Sequence, residues 1–282
     1  MKKSLLIVMA ITLTLNSCEK LDKDVFFTIG SEHEYLYSDI ELYDTSTHIL
    51  YFKNEQEFLK DMYENTFAFF YNRHIIYQGS FKPGYSSTIP DGPFIMSPSM
   101  YGNYALKIEN FIPGKQDIRK DPKMIDILSR HNLLHSGLSI SSSSIEINDK
   151  QLTLNFTIKN QDQTDLMIID LDKTGTNLFH YFTSGLHIYD IDQKEVFFTT
   201  IEHQSPDPWN SWDIDWLSEL KSGDSKEYTI VYTINNQLSP GVYETTFHFP
   251  GLTSQVTKDQ LYQGNSRIWL GDISHKKRLT IQ

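Results

Sequence analysis

The sequence predicts a mainly β protein, in which an N-terminal α+β segment is followed by an antiparallel β-sandwich. Three observations carry this. First, 17 Phe, 16 Tyr and 4 Trp make 13% of the 282 residues aromatic, a content that favours packed strands over disorder. Second, beyond Gly137 apolar and polar residues alternate in run after run. The plainest case interleaves Leu152, Leu154, Phe156 and Ile158 with Thr153, Asn155 and Thr157, the pattern of a strand with one buried face. Third, turn-forming pairs punctuate these runs at Asn148-Asp149, Asp192-Gln193, Ser222-Gly223 and Pro240-Gly241.

Charge narrows the partners. The 25 Lys and Arg against 36 Asp and Glu leave a net charge of -11. An acidic chain of pI 5.3 repels the phosphates of nucleic acid, and no nucleic-acid partner is expected. No long Lys/Arg run offers a polybasic attachment to anionic lipid. The length allows one large domain or two medium ones, each able to bury a core.

Residues 1–17 have a secretory layout: Lys2-Lys3, then Leu5-Leu6-Ile7-Val8-Met9-Ala10-Ile11, closing at Leu15-Asn16-Ser17-Cys18. This apolar run is too short to span a bilayer as a helix. The ending Leu-Asn-Ser-Cys resembles the lipobox of bacterial lipoproteins. That resemblance implies lipidation of Cys18, which becomes the first residue of the mature chain. It also implies attachment to a membrane of the bacterial cell envelope, the outer membrane first among them, through the lipid alone. Cys18 is the one cysteine of the chain, so an intrachain disulfide is impossible and stability must come from cores. Residues 18–24, with Glu19-Lys20-Leu21-Asp22-Lys23-Asp24, read as a charged tether. Short acidic runs of this kind also resemble the export signals of some surface lipoproteins.

Residues 25–136 read as the small α+β domain. Strands are predicted over 35–43 and 48–52, joined by the turn Asp44-Thr45-Ser46-Thr47. Asn54 and Glu57 have capping-box spacing, and Phe58, Leu59, Met62 and Tyr63 follow at helical intervals. Residues 66–71 and 74–81 flank Asn72-Arg73 as a tight hairpin. The four prolines and three glycines of residues 82–102 mark a long loop. Asp121-Pro122 caps a helix expected to run through Met124, Ile125, Ile127, Leu128, Leu133 and Leu134 and to stop before Gly137.

Residues 137–282 read as the sandwich, with strands over 138–147, 152–159, 166–171, 186–191, 196–201, 227–234, 242–249 and 268–273. Within Leu238-Ser239-Pro240-Gly241-Val242-Tyr243 a Pro-Gly turn precedes a tyrosine. This stretch resembles the tyrosine corner of immunoglobulin-like sandwiches, which implies a structural hydrogen bond from Tyr243 to backbone. The inter-sheet disulfide of antibody domains is absent, as is a tryptophan in the third strand. The resemblance therefore extends to an immunoglobulin-like architecture and leaves function open.

Candidate constellations are few. Asp170-Leu171-Asp172-Lys173-Thr174-Gly175 begins like a calcium loop, but Thr174 and Tyr181 occupy positions five and twelve, where ligands belong. A plain turn between strands is expected there. His131 and His135 stand four apart on the expected helix, yet Asn132 replaces the glutamate of a metalloprotease motif. Two packed histidines are expected, and neither metal nor cofactor. No Gly-x-Ser-x-Gly elbow, nucleophilic cysteine or phosphate loop appears, so no catalytic residue is nominated. The most distinctive stretch puts Trp209, Trp212 and Trp216 within eight residues, interleaved with Asp213 and Asp215. Exposed indoles stack on sugar rings, which makes these three the candidate ligand-binding residues. The same spacing also fits core-facing strand alternation or a helical stripe. A non-enzymatic envelope module that binds a protein or polysaccharide partner is the leading expectation. A structural spacer in an envelope complex is the alternative, and a hydrolase or metal-dependent enzyme comes after both.

Overall fold

The computed structural model describes residues 24–57, 62, 65–88, 90–96, 98–110, 116–181, 183, 185–200, 211–234, 238–253 and 255–281. The protein is mainly β, built from largely antiparallel sheets with two α-helices among the described residues, Pro122–Arg130 and Leu171–His180.

The N-terminal part opens with a six-stranded sheet. Its order is His33–Leu36, Val25–Ile29, Thr66–Tyr71, His74–Lys82, Pro93–Met96 and Glu109–Asn110. One face carries an aromatic core of Phe26, Phe27, Phe67, Phe69 and Phe81, onto which Met124, Ile127 and Leu128 of the first helix pack. A second, four-stranded sheet runs Leu134–His135, Ile40–Asp44, Ile49–Phe52 and Ala105–Lys107.

That second sheet is a wall shared by two cores. Tyr43, Leu50, Phe52 and Leu106 face the N-terminal aromatic cluster, while Leu42, Ile49, Tyr51 and Ala105 belong to the larger core of the C-terminal part. Successive strand residues point to opposite faces. A strand covered on both sides is therefore apolar throughout, as Ile49-Leu50-Tyr51-Phe52 is.

The C-terminal part has the layered form of a sandwich. The three-stranded sheet of Leu138–Asn148, Gln151–Asn160 and Ser225–Thr233 lies against a four-stranded sheet of Glu195–Phe198, Leu186–Tyr189, Gly241–Pro250 and Asp272–Ile281. Phe156 meets Phe247 across the gap with ring centroids 4.5 Å apart. A further sheet, ordered Leu217–Leu220, Leu166–Ile169, Ser266–Ile268 and Tyr262–Gln263, adds Ile168, Leu217 and Ile268 to the same core. The Tyr243 hydroxyl donates to the Ser239 carbonyl at 2.8 Å.

The structure departs from the expected elements in several places. The first helix ends at Arg130 rather than running to Leu134. Asn132 takes the left-handed φ of 56°, which amides tolerate and helices do not continue through. Leu134 and His135 then pair in parallel with Tyr43 and Asp44. Asp170 opens a helix and not a turn: its carboxylate accepts from the Asp172 backbone as an N-cap, and Gly175 at φ 68° breaks the helix midway. The predicted strand ending at Leu171 consequently stops at Ile169.

Residues 82–102 are not all loop, since Pro93–Met96 pairs in parallel with His74–Lys82 and a 3-10 stretch spans Pro98–Tyr104. Pro93, as first residue of its strand, sits where the missing donor is tolerated. The strand expected over 35–43 is interrupted by the 3-10 turn Tyr37–Asp39. That expected over 268–273 divides at Gly271, φ 94°, into Ser266–Ile268 and the long final strand Asp272–Ile281. Asn54 and Glu57 belong to no helix, and the remainder of the helix expected there falls mostly outside the described residues.

Candidate functional site

At the junction of the two parts lies a buried polar cluster. Arg267 is 1% exposed. Its Nη2 donates to Asp44 Oδ2 at 2.9 Å and to Asp162 Oδ2 at 3.2 Å, and its Nη1 to the Tyr51 hydroxyl at 3.3 Å. Burial alone lowers an arginine pKa, but Tyr51, Asp44 and Asp162 together hold Arg267 above its ordinary value. His135 Nδ1 lies 2.8 Å from Asp162 Oδ1. Burial pushes Asp162 up, whereas His135 and Arg267 bring it to a net value below the usual carboxylate range. Asp44 also accepts from the backbone and hydroxyl of Ser46, and Ser46 Oγ receives Trp269 Nε1 at 3.2 Å. Gly137 closes over this group at φ 61°, where a Cβ would stand 2.1 Å from Ser46 Oγ.

A cleft of about 480 Å³ opens beside this floor. One wall is the turn Thr45-Ser46, tied down by Thr45 N and Oγ1 donating to the His135 carbonyl. Lys120 and Ile125 supply a second wall from the start of the first helix. Ser136, Leu138, Ser139 and Ile140 supply a third, with Gln161, whose backbone donates to the Gly137 carbonyl at 2.9 Å. Ile273, Ser274 and His275 of the final strand close the fourth side. Burial, and then the Lys277 ammonium, lower the pKa of His275. Ser139 Oγ is buried without a hydrogen-bond partner. A second cleft, of about 470 Å³, lies between Val196–Phe198 and Val231–Thr233. Thr200 and Ile234 also line it.

The described residues nominated from sequence stand elsewhere. Trp212 and Trp216 are half-buried and pack against the large core. Ile214–Trp216 forms a 3-10 turn capped by Asp213 and leaves Ile214 43% exposed, so the alternation that would bury Ile214 as a strand residue is not realised. Trp209 and Cys18 lie outside the described residues. Tyr85, on the 82–102 stretch, is 90% exposed. His131 caps the first helix and stacks on Tyr37 at 3.8 Å between centroids. His135 faces Asp162 instead, so the two histidines do not share one helical face. No group of three or more His, Cys, Asp or Glu fit to hold a metal occurs among the described residues. Asp170 is engaged by Lys226 Nζ at 2.7 Å, by the Ser218 hydroxyl at 2.5 Å and by Tyr228.

Fold and site together define a β-sandwich protein with a concave cleft of mixed polar and apolar lining where its two parts meet. No protein-family model matches the chain, and no curated protein matches it. The cleft was invisible in the sequence because five separate stretches line it. The one local signal was Asp44-Thr45-Ser46, which reads as a turn.

Proposed function

We propose that the protein is a lipid-anchored envelope lipoprotein that works as a non-enzymatic binding module, with the junction cleft as its ligand site. The observation that carries this is the cleft itself. Its volume lies in the range of ligand pockets, and its walls are held by a buried ionic floor, the kind of pre-organisation that lowers the cost of binding. The apolar leader closed by Cys18 supports the anchor, and among the described residues no helix is long and apolar enough to cross a membrane. The Tyr243–Ser239 bond supports an immunoglobulin-like reading of the sandwich, an architecture that hosts many binding roles.

The test uses the full chain, probed on arrays of glycans and peptides beside the variant Ser136→Trp, which fills the cleft from an exposed position. Ligands bound by the native chain and lost on Ser136→Trp support the site. Binding that survives the variant overturns it.

A further inference from the structure

The lining of the cleft departs from the acidic composition of the chain as a whole. The chain holds 36 acidic residues and a net charge of -11, yet no acidic side chain lines the cleft, whereas Lys120 and His275 do. The final strand continues past His275 into Lys276, Lys277 and Arg278, all exposed. Lys277 reaches across to the Ser143 carbonyl at 2.5 Å. Lys123 lies in the first turn of the helix that follows Lys120. Beneath the floor the carboxylates of Asp44 and Asp162 are already met by Arg267 and His135. The nearby Asp117 is held by Arg119 at 2.8 Å, and Asp272 by Lys107 at 2.7 Å.

The remaining lining divides into two kinds. Ser136, Ser274 and Gln161 line the cleft with hydroxyls and an amide that make no side-chain hydrogen bond among the described residues. Hydroxyls and amides both donate and accept, which suits a ligand that itself carries hydroxyls. Ile125, Ile140 and Ile273 add apolar surface of the sort that meets the C–H face of a sugar ring.

We infer that the junction cleft binds an acidic saccharide, a sugar bearing a carboxylate or sulfate. Lys120 takes the anionic group, with the His275 ring donating an N–H beside it, and the serines and Gln161 take the ring hydroxyls. This rests on the reading of the cleft as the binding site.

The experiment is titration calorimetry of the full chain in detergent with three probes of equal length: an oligogalacturonate, a chondroitin sulfate oligosaccharide and a neutral malto-oligosaccharide. Lys120→Gln/His275→Gln and Ser136→Trp are run in parallel, with melting temperatures to confirm that each folds. The expected result is binding of one or both acidic probes and not the neutral one. The double variant then loses tenfold or more, Ser136→Trp abolishes binding, and raising the salt weakens it. A carboxylate requirement and a sulfate requirement are told apart by which acidic probe binds. Equal binding of the neutral probe, lost on Ser136→Trp but indifferent to Lys120→Gln/His275→Gln, overturns the acidic assignment and leaves the cleft as a binding site. Acidic probes that bind Ser136→Trp as well as the native chain overturn both. Binding of none of the three overturns the saccharide assignment.

Discussion

Replacing Arg267 by methionine is the sharpest test of how the two parts are joined. The guanidinium is buried with Asp44, Asp162 and the Tyr51 hydroxyl, at distances of 2.9, 3.2 and 3.3 Å. Methionine keeps much of the length and none of the charge, so two carboxylates remain in a site that water does not reach. Removing one partner of a buried ion pair costs about 3–5 kcal/mol. With a urea dependence of about 3 kcal/mol per molar, the unfolding midpoint falls by about 1–1.7 M. Adding Asp44→Asn and Asp162→Asn to Arg267→Met removes the stranded charges and recovers most of the loss, because a buried ion network is replaceable by neutral groups. Equilibrium urea unfolding at pH 7, followed by the fluorescence of buried Trp269, measures both. An Arg267→Met protein within about 1 kcal/mol of the native one refutes the reasoning. So does a triple variant no more stable than the single one.

Other outcomes follow from the same structure. His180 is fully buried with Nε2 2.7 Å from the Tyr232 hydroxyl, and burial lowers its pKa from 6.5 to about 4. The native ring is neutral while the unfolded one takes a proton. Its contribution is therefore complete above about pH 6.5 and lost as pH falls toward 4, by at most about 3 kcal/mol. Urea midpoints at pH 7, 6, 5 and 4.5 fall accordingly and flatten in His180→Gln, and a native midpoint constant over that span contradicts the assignment. Gly137→Ala forces a methyl group against Ser46 and Asp44 at a positive φ and costs about 1–3 kcal/mol; an unchanged melting temperature counts against the tight closure. Tyr243→Phe deletes the bond to Ser239 and lowers stability by about 1 kcal/mol, read as a drop in melting temperature with the far-ultraviolet spectrum preserved. Cys18→Ala abolishes incorporation of a palmitate analogue and releases the protein from the membrane fraction; continued labelling removes the lipid anchor.

Period-two patterning was legible wherever one strand face meets water, as in Gln151–Asn160, whose buried and partly exposed residues alternate along the strand. It was silent about the shared wall. Ile49–Phe52 is buried at every position, and an unbroken apolar run does not say how many cores it serves. Helical spacing carried on to Leu134, but the backbone obeyed Asn132. Asp170-Leu171-Asp172 was expected as a plain turn because Thr174 and Tyr181 stand where calcium ligands belong, whereas Asp170 caps a helix and binds Lys226. The tryptophan cluster drew the eye by composition. Partial burial of Trp212 and Trp216 against the core is a tertiary fact that local spacing does not encode. The cleft is likewise tertiary, and only its lack of acidic residues, once the lining is known, can be read back onto the sequence.

The shared wall also has a consequence in time. Ile49 rests against Gly271 and Tyr51 against Arg267, residues made roughly 200 positions later, which at about 5–20 residues per second is a delay of about 10–40 s. During that interval the N-terminal aromatic core can close on one side of the sheet while Leu42, Ile49 and Tyr51 stay bare on the other. Until the C-terminal part is present, that face of the wall lacks its cover, so the larger core closes only when both ends of the chain have arrived.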